Sequence, residues 1–173
     1  MKKIVAMLLA LALCLSTAFA AEINWADYAD AAAQLDPNAK TWTLNAVNCS
    51  LWVPEVLQYV ELTDEDIEAG YTAYWCTEDG TAALGVQYVD MDGITLEDYA
   101  ALLMDMGVTD VEENTVNGLP CITYSYTDED GASSNVVAFT TDAGYVLEFA
   151  FTAGDEGYEV VSALIAASIQ PAE

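Results

Sequence analysis

The chain has 173 residues, of which 29 are acidic, three are Lys or Arg and none is His, so its formal charge is −26. Nucleic acids and anionic membrane surfaces are bound through Lys and Arg, so this charge excludes both as partners. The lack of His excludes a Ser-His-Asp triad, a Cys-His pair and His-ligated zinc. Without Arg or a Gly-rich phosphate loop, kinase and NTPase functions are excluded as well.

The first 20 residues predict a cleavable signal peptide. Two lysines precede an apolar run over residues 4–15, and Ala18-Phe19-Ala20 fits the small-x-small cleavage site. We therefore expect cleavage after Ala20 and export to the cell envelope or the extracellular space. An alternative is lipidation of Cys14, although the lipoprotein signal has a small residue where Leu13 stands.

Removal of residues 1–20 leaves 153 residues, a typical length for one domain. We expect residues 21–45 to form an N-terminal helix and a lead-in strand, and residues 46–173 to complete the same domain. All 29 acidic residues and a single cation, Lys40, lie in it, so its formal charge is −28. We predict a monomer, because dense like charge keeps protein molecules apart.

Three cysteines follow the signal peptide, Cys49, Cys76 and Cys121. An odd number allows at most one internal disulfide, for which Cys49 and Cys76 are the preferred pair. The alternative is that all three are small buried hydrophobic residues.

Apolar spacing predicts three helices, over residues 25–35, 95–106 and 158–167. The second has the clearest signal, because Thr95 can cap its start and Gly107 can end it. The apolar stripe of this helix comprises Leu96, Tyr99, Leu102, Leu103 and Met106.

Runs typical of strands fill much of the remaining sequence. They are Thr41–Leu44, Val47–Val53, Tyr71–Thr77, Ala82–Val89, Val111–Val116, Leu119–Thr127, Ser134–Thr140 and Tyr145–Thr152. Tight turns such as Glu78-Asp79-Gly80-Thr81 and Asn117-Gly118 join neighbouring runs. On strict alternation Tyr71, Ala73 and Trp75 share one face of their strand. The sequence therefore predicts an α+β fold, an antiparallel sheet with helices on its faces.

Five short segments occur in an order typical of one superfamily. They are Leu51-Trp52-Val53-Pro54, Gly93-Ile94-Thr95-Leu96-Glu97-Asp98-Tyr99, Asn117-Gly118, Gly144-Tyr145-Val146-Leu147-Glu148-Phe149, and Ser168-Ile169 before Pro171. In these the chain resembles the PsbP-like superfamily, with its DcrB-like envelope proteins and a Ran-binding protein, over residues 46–171. The resemblance implies an α/β/α sandwich around an antiparallel sheet. It also implies a non-enzymatic accessory or binding role.

Two pairs of aspartates are candidate metal ligands, Asp90 with Asp92 and Asp128 with Asp130. Carboxylate oxygens are ligands that Ca²⁺ prefers, and no other cofactor is expected. An EF-hand is excluded, since tyrosines stand where that loop needs its first Asp and its final Glu. The alternative is that these residues serve turns, in which Asp is favoured for backbone reasons.

Glu148 is an acid inside a strongly apolar strand. By alternation it shares a face with Val146, Ala150 and Thr152. If this face is desolvated, the pKa of the Glu148 carboxyl is raised, as an acid–base role requires. The alternative is that this is the wetter face of the strand.

Four Trp and ten Tyr could stack on a sugar or a peptide, although most should lie in the core. The sequence favours a non-enzymatic binding domain for an unknown protein or small ligand, recognisable by an apolar groove rimmed with acids. One alternative is a Ca²⁺-binding module, which needs three or more acids from different loops at one point. Another is a small carboxylate-dependent hydrolase, which needs two acids converging in a pocket.

Overall fold

The structure is a computed structural model that describes residues 22–127, 131–141, 143–152 and 156–172. The predicted signal peptide, Cys14, Asp128 and Asp130 lie outside these ranges. Within them, no helix has the length and apolar character needed to cross a bilayer.

The described residues form eleven strands and four α-helices. The strands are β1 (Glu22–Ile23), β2 (Lys40–Leu44), β3 (Cys49–Val53), β4 (Gln58–Tyr59), β5 (Tyr71–Cys76), β6 (Ala83–Asp90), β7 (Glu112–Val116), β8 (Leu119–Thr127), β9 (Ser133–Thr140), β10 (Tyr145–Thr152) and β11 (Gln170–Pro171). The helices are α1 (Ala29–Leu35), α2 (Asp64–Glu68), α3 (Leu96–Asp105) and α4 (Glu156–Ser168).

Eight strands form a large sheet in the order β1-β7-β8-β9-β10-β6-β5-β4, and β11, β3 and β2 form a small one. The large sheet is antiparallel except for β1, which runs parallel to β7. The predicted α+β class, an antiparallel sheet flanked by helices, is confirmed. The separate small sheet and the parallel edge strand were not predicted.

Successive side chains of the central strands point into two cores, one on each face of the large sheet. On one face, α4 and the small sheet pack on residues that include Trp75, Val137 and Phe149. On the other, α3 packs on residues that include Ile122, Val136 and Val146. The large sheet is therefore the central layer, with α3 on one side and α4 on the other.

The cap and the stop predicted for α3 agree with the structure better than its predicted apolar stripe does. Thr95 caps α3 by accepting a hydrogen bond from the Asp98 amide, and Gly107 follows the helix with a φ of +89°. Leu102 and Met106 are 38% and 72% exposed, so the predicted stripe is wrong at these two positions. The buried side of α3 comprises Tyr99, Ala100 and Leu103.

Two predicted features of the N-terminal half differ in the structure. The helix predicted over residues 25–35 is divided into a 3₁₀ turn, Trp25–Asp27, and α1. A β-bulge in β5 shifts its register against β6 between Tyr71 and Ala73. Tyr71 therefore lies on the α3 face, and its predicted position beside Ala73 and Trp75 is wrong.

The preferred disulfide does not form. Cys49 lies in the small sheet and Cys76 in the large one, and these two thiols and that of Cys121 are all free. Burial raises the pKa of Cys49 to about 11 and that of Cys121 to about 12, so both behave as buried hydrophobic residues. Cys76 is only partly buried.

The Asn117 side chain joins the N-terminal segment to the end of α4. Its Nδ2 donates to the carbonyls of Ala167 at 2.9 Å and Ile169 at 2.7 Å. Its Oδ1 accepts from the Trp25 amide at 2.7 Å, and its own amide donates to the Ile23 carbonyl. The Asn-Gly turn, with a φ of +50° at Asn117, is thus also a clamp on α4.

We expect Asn117→Ala to lower the free energy of unfolding by about 4 kcal/mol, since three hydrogen bonds at about 1 kcal/mol each are lost and Ala adopts the left-handed φ at a cost of about 1 kcal/mol. Asn48→Ala is the matched control, because Asn48 has a similar φ of +49° and is exposed. It should cost only the left-handed backbone term, about 1 kcal/mol. Urea unfolding measures both, and equal losses would contradict the clamp.

Candidate functional site

A groove runs between α4 and the strands β7, β8 and β9. It encloses a cavity of about 390 Å³ and is called here the α4 groove. Its apolar floor and wall include Val137, Phe151, Ala163 and Ala166. Helix and sheet thus leave an opening on the face where they otherwise pack closely.

Acids and neutral polar groups form the remainder of the groove. Asp110 precedes β7, Glu112 lies in β7, and Glu159 lies in the first turns of α4. The groove is also lined by Thr123, Ser125, Asn135 and Ser162. Three carboxylates, two from the segment at the start of β7 and one from α4, therefore rim a partly apolar cavity.

Among these acids, Glu112 has a carboxylate oxygen that lacks a donor. Its Oε2 is buried and has no hydrogen-bond partner among the residues that the structure describes. The neighbouring donor Asn114 Nδ2 instead reaches the hydroxyl of Thr123 at 2.8 Å. Because a buried carboxylate oxygen without a donor is costly, a ligand that donates to Glu112 would be favoured.

The wall of the groove is fixed, because α4 is tied to the sheets at both ends. Near its start, the Tyr158 hydroxyl donates to the Ala83 carbonyl at 3.1 Å. At its end, the Ser168 hydroxyl accepts from the Trp52 amide of β3 at 2.8 Å. Together with the Asn117 clamp, these bonds make the α4 groove a preformed feature.

Glu148 lies on the opposite face of the sheet, beside α3. Its Oε1 accepts hydrogen bonds from the hydroxyl of Tyr99 at 2.6 Å and from that of Tyr124 at 2.5 Å. The side chain is half-buried, and Val146 on the same face is fully buried. This face is therefore covered by α3 beside Val146, while Glu148 itself is only partly buried, so neither predicted alternative describes it completely.

These contacts and the burial around them change the pKa values of the Tyr99 and Tyr124 phenols. Burial, followed by the hydrogen bond to Glu148, raises the pKa of Tyr99. Burial and the charge of Glu148 raise the pKa of Tyr124. Both groups therefore stay protonated as donors to the carboxylate well above neutral pH.

The candidate Ca²⁺ ligands Asp90 and Asp92 lie in the loop after β6. Asp90 Oδ1 accepts a hydrogen bond from the Asp92 amide at 3.0 Å, and Asp92 has a left-handed φ of +54°. These contacts are those of an Asx turn. In the part of the chain that the structure describes, no three acidic or Cys side chains are placed to hold a metal ion.

The hairpin between β5 and β6 uses its acid in the predicted way. Asp79 accepts hydrogen bonds from the Thr77 hydroxyl at 2.7 Å and the Thr81 hydroxyl at 2.8 Å. These bonds lower the pKa of Asp79 to about 2. The carboxylate therefore stabilises the turn.

Three aromatic side chains connect the free edges of the two sheets. Trp42 of β2 stacks on Tyr59 of β4 with 5.5 Å between ring centroids, and both meet Trp75 edge-on. Trp75 and Trp52 are buried, while Trp25 and Trp42 are half-buried. As predicted, most of the tryptophans pack in or against the core.

Sequence reasoning missed the α4 groove because its acids are far apart along the chain. Asp110 and Glu112 lie nearly 50 residues before Glu159. In the structure Glu112 shares a strand face with the buried Asn114 and Val116. In the sequence each face of this run carries one glutamate and one valine, so alternation alone does not distinguish Glu112 from Glu113.

We expect Tyr99→Phe to lower the free energy of unfolding at pH 7 by about 2 kcal/mol, the usual value of a hydrogen bond to a charged group. The raised pKa of Tyr99 gives stability that is present below its ordinary value of 10.0 and is lost as the pH rises above it. The effect of the substitution should therefore shrink at alkaline pH. Tyr59→Phe, at an exposed edge position, is the control, and an equal effect there would contradict the assignment.

Comparison with known proteins supports the fold. The solution structure of cyanobacterial PsbP (CyanoP) from Synechocystis sp. PCC 6803 is similar with a TM-score of 0.56 and 14% identity, covering 77% of this chain and 92% of that one. A crystal structure from Bacteroides thetaiotaomicron VPI-5482 is similar with a TM-score of 0.52 and 13% identity, covering 78% of this chain and 48% of that one, about half its length. No family model and no curated protein matches the sequence. The fold is PsbP-like.

Proposed function

We propose that the chain is an exported, non-catalytic accessory domain that binds a ligand or a partner segment in the α4 groove. The observation that carries this proposal is the combination of an apolar floor with three rim acids, Asp110, Glu112 and Glu159, in a cavity of about 390 Å³. Such a cavity suits a ligand that has an apolar body and a positively charged end.

The charge of the molecule supports a cationic ligand. Lys40 is the one cation in the described residues, and it lies on β2, in the small sheet. Lys40 does not line the groove, so no positively charged side chain of the described fold neutralises its acids from within. A cationic ligand would also be attracted from solution by the overall negative field.

Export and a monomeric state are parts of the same proposal. The predicted signal peptide supports export, and the density of acids supports a monomer that neither nucleic acid nor an acidic membrane attracts. Export is tested by producing the full chain in a bacterium and measuring the intact mass of the exported protein. We expect the mass of a chain that begins at Ala21. An uncleaved chain that stays in the cytoplasm would contradict export.

The Ca²⁺ alternative has less support in the described residues. The Asp90 and Asp92 pair has one oxygen already engaged by a backbone amide, and no third acid joins it there. The hydrolase alternative would use the same acids that rim the α4 groove. A hydrolase must convert its substrate to product, whereas an accessory domain only binds its ligand.

The groove is tested with 1,6-diaminohexane, an apolar chain with two ammonium groups, by calorimetric titration at low salt. Glu112→Gln should weaken binding about fivefold, as expected for losing about 1 kcal/mol of charge attraction in a partly buried site. The matched control is Glu113→Gln, which removes the same charge from the next, exposed position of β7. Equal weakening by both variants would show attraction by net charge alone and would contradict the groove.

A further inference from the structure

The small sheet differs from the rest of the chain in its charge. Its three strands, β2, β3 and β11, contain no acidic residue. Two of them, β2 and β3, lie in an acid-free run over residues 37–54, which at 18 residues is the longest such run after Glu22. The same run contains Lys40, the single cation that follows the predicted signal peptide. The charge of this run is therefore +1 in a chain that is otherwise strongly negative.

β2 is an edge strand with one free side. The order of the small sheet is β11-β3-β2, so β2 pairs with β3 alone. All five of its residues pair with β3 without a shift in register. Lys40, Thr41 and Thr43 are exposed. The strand therefore presents a regular edge that another strand can reach.

The free side of β2 carries the backbone groups of Thr41 and Thr43. In antiparallel strands, pairs that exchange hydrogen bonds alternate with pairs whose N–H and C=O groups point away from each other. The Trp52 amide, opposite Thr41, donates at 2.8 Å to Ser168 Oγ, next to β11 on the other side of β3. Thr41 with Trp52, and Thr43 with Ser50, are therefore pairs of the second kind. Among the residues that the structure describes, none bonds to the two outward amides and two outward carbonyls of β2.

The side chains of β2 alternate between an inner and an outer face. Trp42 meets Trp75 of the large sheet edge-on, with 5.5 Å between ring centroids, so Trp42 lies on the inner face. Lys40 and Leu44 share this face by alternation, and the two threonines lie on the outer one. Trp42 and Leu44 are half-buried and pack against the core. A strand added beside β2 would cover the parts of these two side chains that are still exposed.

The side chains of β2 define the chemistry of a strand that would fit beside it. Antiparallel neighbours stabilise each other through pairs of an aromatic and a β-branched residue, pairs of threonines and pairs of opposite charges. The fitting strand has β-branched residues opposite Trp42 and Leu44, threonines opposite the two threonines, and one acid opposite Lys40. Lys40 has no ion pair among the described residues, so its charge is available to that acid.

Charge also limits what can occupy this edge. A strand with several acids would be repelled by the negative field of the rest of the chain, and a second copy would bring the same large negative charge. A lysine on an edge strand ordinarily opposes pairing with other strands. At this edge Lys40 instead selects the strand whose single acid lies opposite it.

We propose that β2 pairs with an extended, largely uncharged strand of a partner protein, which becomes the fourth strand of the small sheet. The backbone groups of Thr41 and Thr43 form the hydrogen bonds, and Lys40 fixes the register through one acid. The added strand runs antiparallel to β2, as the other pairs of this sheet do. This site is distinct from the α4 groove, whose lining includes no residue of β2.

The test uses the exported chain and the acetylated and amidated peptide Val-Thr-Val-Thr-Glu. In antiparallel pairing its glutamate lies opposite Lys40 and its valines lie opposite Trp42 and Leu44. The peptide has no cation, so the acids of the α4 groove do not attract it. Amide chemical shifts measured during titration give the dissociation constant. We expect saturable shifts that are largest at Thr41 and Thr43, and shifts elsewhere only would overturn the proposal.

Methylated peptides test the hydrogen bonds directly. Methyl groups on the two threonine nitrogens remove the donors that face β2, so binding should weaken at least about tenfold. Methyl groups on the two valine nitrogens are the matched control, because these nitrogens point away from β2 and their methylation should change binding less than about twofold. Equal weakening by the two modifications would overturn the proposal.

Variants of β2 test the same edge from the side of the protein. Thr43→Pro removes one outward N–H and leaves the pairing with β3 intact, so it should weaken binding about fivefold. Thr43→Val keeps that N–H and is the matched control. Lys40→Gln should weaken this peptide about threefold and leave a peptide that ends in Gln unaffected. Equal binding by Thr43→Pro and Thr43→Val would overturn the proposal, and so would a dimer of the free chain that Thr43→Pro dissociates, because a second copy would then occupy the edge.

Discussion

The position of α4 depends on the side chain of Asn117. One amide group accepts from the N-terminal segment at Trp25 and donates to two carbonyls at the end of the helix, Ala167 and Ile169. The bonds close sequence separations of 92, 50 and 52 residues, so they connect parts of the chain that no local turn could join. The α4 groove exists because the helix is held in this place.

A second constraint is the scarcity of cations. In the described residues, carboxylates take their hydrogen bonds from neutral donors, which are hydroxyls, backbone amides and the Asn38 side chain, as Asp66 does from Thr63 and Glu148 does from Tyr99 and Tyr124. Such bonds stabilise the carboxylate without neutralising its charge. The surface therefore keeps the negative field that the proposed α4 groove would use.

Much of the fold could be predicted from the sequence, because its strongest signals are local. Thr95, Gly107 and Asn117-Gly118 act on their own neighbours, and the structure places a helix start, a helix end and a turn there. The two-residue strands β1, β4 and β11 are shorter than any periodicity can reveal. The bulge at Tyr71 breaks the alternation from which strand faces are assigned. No residue in this part of the sequence indicates a bulge.

The candidate sites were less predictable for a related reason. Glu148 was recognisable as an acid in an apolar strand, but its partners Tyr99 and Tyr124 lie 49 and 24 residues away. The acids of the groove meet only because α4 crosses the strands that carry Glu112 and Thr123. Composition indicated a cation-seeking surface, whereas the placement of that surface required the tertiary fold.

The central claim is that binding occurs at a preformed groove beside α4 and is not spread over an acidic surface. The most direct measurement is amide chemical-shift mapping of the exported chain during titration with 1,6-diaminohexane. The account predicts saturable shifts concentrated at Glu112, Thr123, Ser125, Asn135 and Ser162, which line the groove. Small, non-saturating shifts distributed over all exposed acids would contradict it.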